Sequence, residues 1–356
     1  MPQSRLPHAL AILYALAIVY ASLTPFGPWL APRDDVPFWL LSPWPARVAR
    51  YDAIQNVAGY IPFGFFLALA PRIATPFTRV AAALSIGALM SFAMETLQMW
   101  LPSRDASIVD FTTNSAGALI GGVGGAMLAA AHRTRDRITA LRRRVFLTGT
   151  LGDVGVALIV VWLAAQINPG IALFAVTFDP ESARYFLPPP TAPDLAALAI
   201  EAAESAFQLL GIGLFIALLV RERRFIGGAV LLLIGIAFLI KGVAATLLLK
   251  PAVWETWLRP GVSIGIAAGT LMLMFAIGLP RPVQFAFCGV ALLSSIGAPL
   301  LAPDLLQAHV PLAVFSWRYG HLLQYNGLTR AVLLAWPIAA AVWLFALAGR
   351  PDWGRE

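Results

Sequence analysis

The chain has 356 residues, 59% of them hydrophobic and only 12% charged, with a formal net charge of +7. A soluble domain carries about a quarter charged residues, so this balance excludes a soluble globular fold. The sole cysteine, Cys288, lies inside an apolar run, which excludes a disulfide within one chain.

Crossing a bilayer takes about 20 apolar residues in a helix. Ten such runs occur, at about 8–24, 54–71, 80–101, 109–131, 152–175, 195–220, 225–249, 261–279, 283–302 and 330–349. They predict an all-α integral membrane protein, a polytopic bundle of about ten transmembrane helices, because hydrocarbon offers no partner to exposed backbone groups. The alternation of an outer-membrane barrel is not the pattern here. The first run, preceded by Arg5, reads as a retained helix rather than a cleaved signal. With the N-terminus in the cytoplasm, 15 of the 25 basic residues fall inside, 9 fall outside and Lys241 lies within a span. That bias places both termini on the cytoplasmic side of a bacterial inner membrane. The cluster Arg133, Arg135, Arg137, Arg142, Arg143 and Arg144 then reads as a topology signal and not as a nucleic-acid site.

Between the first two runs, residues 25–50 hold Trp29, Trp39, Trp44 and several prolines, which suits a non-spanning segment at the interface. The second run opens on Asp52, Gln55 and Asn56; the third closes on Glu95 and Gln98; Arg104 lies in the link; Asp110 and Asn114 open the fourth. Residues three or four apart share a helix face. Each group therefore forms one polar stripe, and the expected topology brings all three to the outer side around Arg104. With the third helix ending near residue 101, Glu95 would lie about 9 Å below that end. Charges near hydrocarbon are costly and face a protected interior. Gly117, Gly121 and Gly125 recur every fourth residue, which lets a neighbouring helix approach closely.

The segments YDAIQNVAGYIPFGFFLALAPR and SFAMETLQMWLPSRDASIVDFTTNSAGALIGG resemble the VanZ-like family of bacterial membrane proteins. The resemblance covers about residues 50–125 and rests on Asp52, Asn56, Pro62-Phe63-Gly64, Ser91, Glu95, Gln98, Arg104, Asp110, Asn114 and Gly117-Ala118. It implies a place in the bacterial envelope. The family takes its name from a protein associated with teicoplanin resistance, but the resemblance brings no settled biochemical activity.

A shift of 149 residues lays IPFGFFLALAPR (61–72) over LGIGLFIALLVR (210–221), with Asp52 on Glu201 and Gln55 on Glu204. A shift near 148 sets SAGALIGG (115–122) beside SIGIAAGT (263–270). Four helices per copy would make a parallel repeat. The plan is then 4+4+2: a VanZ-like four-helix unit at 1–131, a basic cytoplasmic linker at 132–151, a degenerate second unit at 152–282 and a two-helix unit at 283–356. Lys241, mid-span, would take Glu201 or Glu204 as partner, although their depths differ. Outer loops at 176–194, with Pro188-Pro189-Pro190, and at 303–328, with His309, Trp317, Arg318, Tyr319 and His321, read as interfacial segments.

Four scattered histidines predict no metal site, and the lack of a phosphate or dinucleotide loop predicts no cofactor. Two functional classes remain, beside a purely structural clamp of three helices. In the first, Asp52, Asn56, Glu95, Gln98, Arg104, Asp110 and Asn114 line an outward pocket for a lipid headgroup, a lipid-linked glycan precursor or an amphiphilic antibiotic. Arg104 would meet an anionic group there, and transport is a variant of this role. The second is a membrane enzyme acting on a lipid-linked substrate with Glu95 or Asp110 as general base. Partners are thus membrane lipids or envelope precursors; the oligomeric state is not encoded legibly.

Overall fold

The ten apolar runs all become helices. The computed structural model describes residues 5–32, 37–48, 50–70, 75–171, 173–174, 195–301 and 321–350. Within them the helices are α1 (Leu6–Leu23), α2 (Arg50–Leu69), α3 (Pro76–Gln98), α4 (Ile108–Ala130), α5 (His132–Val145), α6 (Gly149–Ala165), α7 (Leu195–Leu219), α8 (Ile226–Leu248), α9 (Pro260–Ala276), α10 (Arg281–Leu301) and α11 (His321–Ala348). No strand occurs among the described residues. The protein is an all-α, polytopic membrane protein. The outer-loop segments 176–194 and 303–320, with His309, Trp317, Arg318 and Tyr319, lie outside the described residues.

Among the described residues, fewer helices are by themselves long and apolar enough to span than there are apolar runs. Among the same residues, α1, α3, α7, α8, α11 and α9 together with the 3-10 turns before it (Pro251–Ala276) are long and apolar enough to cross a membrane, and α4 with α5 makes a seventh if that bent pair counts as one span. The reasons are local. The α6 helix has only the 17 residues Gly149–Ala165. Asp52, Gln55 and Asn56 make the first two turns of α2 polar, and Pro62 inside it removes a backbone donor. The basic stretch expected to be a linker is itself helical as α5, bent 83° away from α4.

The chain divides into two compact units, Met1–Arg142 and Arg143–Glu356. In the first, α4 packs closely on α2 through its glycines. A Cβ on Gly117 would lie 2.3 Å from the Val57 carbonyl oxygen, one on Gly121 1.9 Å from that of Ile61, and one on Gly125 2.6 Å from that of Phe65. The spacing read from the sequence is thus a backbone-to-backbone seam. The α3 helix completes the layer, with Gly87 and Gly122 at its contact with α4. Helix ends are closed by side chains. Thr75 caps α3 by accepting from the Thr78 N–H (3.2 Å), and buried Arg79 donates to the Ala68 carbonyl (2.6 Å) at the end of α2.

The second unit buries α7 most deeply. Leu209, Leu214, Phe215 and Leu218 are fully enclosed, beside Trp336, Trp343 and Cys288. The indole N–H groups of Trp336 and Trp343 donate to Leu158 and Leu151 carbonyls (2.8 Å each), which ties α11 to α6. A second glycine seam joins α9 to α7: Gly265 faces the Ala202 carbonyl and Gly269 that of Ala206. The two seams are alike, but the packing pairs Val57 with Ala202. That is four residues, one helical turn, from the register that lays Asp52 over Glu201. The 4+4+2 plan remains a proposal.

Candidate functional site

One end of the first unit collects the polar residues, because the C-termini of α1 and α3 and the N-termini of α2 and α4 meet there. The link after α3 is short, so Arg104 lies against the end of α1 and Ser107 against α3. The α3 helix ends at Gln98 rather than near 101, so Glu95 sits about 4.5 Å from its end, not 9 Å.

Glu95 is 3% exposed, and its Oε2 accepts the Ser107 backbone N–H (2.8 Å). Ser107 is the N-cap of α4, and its hydroxyl accepts from the Val109 and Asp110 N–H groups (3.1 and 3.4 Å). Glu95 thereby satisfies a backbone donor at a helix start from a neighbouring helix. Asp110, in the first turn of α4, accepts from the Asn56 amide (2.8 Å). Asp52 is half-buried in the first turn of α2, with a favourable helix dipole. Ser107→Ala should lower stability by about 1 kcal/mol. A melting curve of the purified protein in detergent checks this, and an unchanged midpoint would mean that the Glu95 bond alone caps α4.

Arg104 does not sit at the centre of the acids as the sequence suggests. Its Nε donates to the carbonyl of Thr24, the C-cap of α1 (3.2 Å), and its Nη2 to that of Ala21 in the last turn. Gln98 donates to the Ser22 carbonyl beside them (2.9 Å). Together they close the C-terminus of α1, whose carbonyls lack helical donors. Burial pushes the Arg104 pKa below its ordinary value, and the Coulombic pull of Glu95 opposes that shift. The guanidinium feels the carboxylate but spends its hydrogen bonds on backbone.

Deeper in the bundle lies a smaller cluster. Ser91 is fully buried on α3, and its hydroxyl accepts from the Asn114 amide (3.0 Å). The Asn114 Oδ1 and the hydroxyl of Tyr60, which lies beside Ser91 and near Glu95, are buried without a hydrogen-bond partner among the described residues. Tyr60 and Ser107 are the site residues that sequence reasoning missed. Ser107-x-x-Asp110 is a capping pattern readable in sequence, whereas Tyr60 gives no signal of its own. Trp39, 2% exposed, closes the side: it stacks near Phe92 and Phe111 and donates to Thr96 (3.2 Å). Trp29 and Trp44, from the same segment, are exposed, as an interfacial stretch would be.

In the second unit the expected Lys241–glutamate pair does not form. Lys241, fully buried, donates to the backbone carbonyls of Asn168 (2.7 Å) and Ile171 (3.0 Å). Glu201 instead pairs with Arg259 at the start of α9. The Asn168 amide in turn bonds Asn326 (2.8 Å) and Thr329 (2.7 Å) of α11. The depth mismatch noted in the sequence decides the matter, since a backbone loop lay nearer than either acid.

The helices and their buried polar ends define a polytopic helical membrane protein. Its residues 10–129 match the family model described as VanZ/LLP1, so α1 to α4 carry a VanZ-like domain. The match reaches further than the motif residues by including α1, the helix that Gln98 and Arg104 hold. No curated protein and no solved structure matches the chain.

Proposed function

We propose that the polar end of the VanZ-like domain binds the headgroup of an amphiphile: a membrane lipid, a lipid-linked glycan precursor or an amphiphilic antibiotic of the bacterial envelope. The observation that carries this reading is the pair of buried, unpartnered polar atoms, Tyr60 Oη and Asn114 Oδ1. Leaving such atoms without a hydrogen bond costs about 1–3 kcal/mol each, and a ligand that bonds them removes the cost. The chemistry of the surroundings favours a donor-rich headgroup. Glu95, Asp110 and Asn114 Oδ1 are acceptors, while two nitrogens of Arg104 are engaged by α1. An amine or hydroxyl group suits that set better than a bare phosphate. Gln98, Asn56 and Asp52, near the same helix ends, would meet the ligand on its way in.

Tyr60→Phe separates binding from a structural clamp, because the hydroxyl it removes makes no hydrogen bond of good geometry with a described residue. The full chain in detergent is titrated with a short-chain phosphatidylethanolamine, whose ammonium donates, and with the phosphatidylcholine counterpart, which has no donor. Phosphatidylethanolamine should raise the melting temperature and phosphatidylcholine should not. Tyr60→Phe should weaken the effect about three- to tenfold, the worth of one hydrogen bond, with the ligand-free melting temperature unchanged. Equal shifts with both lipids, or an unaffected variant, would leave only the clamp.

A further inference from the structure

We propose that α5 is an in-plane amphipathic helix that docks on an anionic lipid surface, a role beyond a topology signal and separate from the headgroup site. Three observations converge on it. The first is direction: α5 leaves the apolar helix α4 at 83°, so the two do not continue one straight rod and α5 is free to run across the direction of α4. The second is charge. The stretch His132–Val145 holds six arginines against one aspartate, a net of +5 with its histidine neutral. The third is the arrangement of these residues around the helix.

At 100° per residue, Ile138 and Leu141 fall on one narrow stripe with Thr134. Arg133 and Arg137 lie along one edge of that stripe, and Arg135 and Arg142 along the other. The two apolar side chains are open, 53% and 62% exposed. A helix of this design sinks its apolar stripe into the acyl boundary while the arginines on both edges extend their stems and place their guanidiniums among phosphates. A solvated linker would not need its apolar residues aligned. A nucleic-acid site would not place them at the centre of the basic face. An anionic leaflet matches both features, and its attraction is worth about fivefold in partitioning per arginine near the surface.

The test uses the full chain in nanodiscs of phosphatidylcholine alone or mixed with phosphatidylglycerol, with hydrogen–deuterium exchange read at residues 132–145. Phosphatidylglycerol should slow exchange in α5 about tenfold or more, and high salt should reverse the slowing by screening. In R133Q/R135Q/R137Q the slowing should vanish while exchange in α7 and α9 stays as in the parent. Should the triple variant fail to fold, the comparison of the two lipids on the parent chain decides alone. Equal exchange in both lipids, or slowing that survives the substitutions, overturns the proposal and returns α5 to a solvated or protein-bound helix.

Discussion

Gly121→Val should abolish the folded VanZ-like domain or destabilise it by about 3 kcal/mol or more. A Cβ at Gly121 would stand 1.9 Å from the Ile61 carbonyl oxygen and 2.8 Å from the Phe65 nitrogen, both backbone atoms that no rotamer change moves aside. The helices must therefore separate. That in turn pulls Asp110 from Asn56, since the same two helices carry both. The control lies on α2: a Cβ on Gly59 meets nothing within 4 Å. Gly59→Ala should be neutral or stabilising by up to about 1 kcal/mol through helix propensity. Melting curves of the two variants in one detergent check the pair, and equal behaviour would mean that the seam does not govern stability.

Lys241→Ala is expected to have the next largest effect, about 2–4 kcal/mol. It strands two buried carbonyls, those of Asn168 and Ile171, and leaves a cavity the length of the side chain. The loop they belong to is held from its other side by Asn326 and Thr329 of α11, so its release should loosen two connections at once. Lys241→Met fills most of the volume but keeps the carbonyls stranded, and should fall between Ala and the parent. If Ala and Met melt like the parent, the lysine is not a brace for that loop.

Much of the fold was legible because it depends on residue type and spacing alone. Apolar run length placed ten helices, most ends within a few residues but the end of α6 and the start of α11 displaced by ten and nine, and the four-residue recurrence of Gly117, Gly121 and Gly125 announced the α2–α4 seam. The polar residues on α2, α3 and α4 were rightly placed at one end, and Asn56 with Asp110 came together as the stripes implied. What sequence could not supply was the identity of backbone partners. Arg104, Gln98, Arg79 and Lys241 all donate to main-chain carbonyls, which every residue possesses and no letter marks. A reading based on side-chain charge therefore paired Arg104 with acids and Lys241 with glutamates. Tyr60 was invisible for a related reason: its importance lies in a hydrogen bond it lacks, a property of packing rather than of pattern. The helical state of α5 was hidden by its charge, because attention to the arginines as topology signals masked the stripe of Ile138 and Leu141 between them.

Native mass spectrometry of the purified full chain, beside its Tyr60→Phe variant, probes the headgroup site most directly. The parent should carry one amphiphile bearing amine or hydroxyl groups per chain, and the variant should lose most of it at unchanged stability. A parent that flies empty, or a variant that keeps the same molecule in the same amount, would contradict the assignment of the α1–α4 polar end as a binding site.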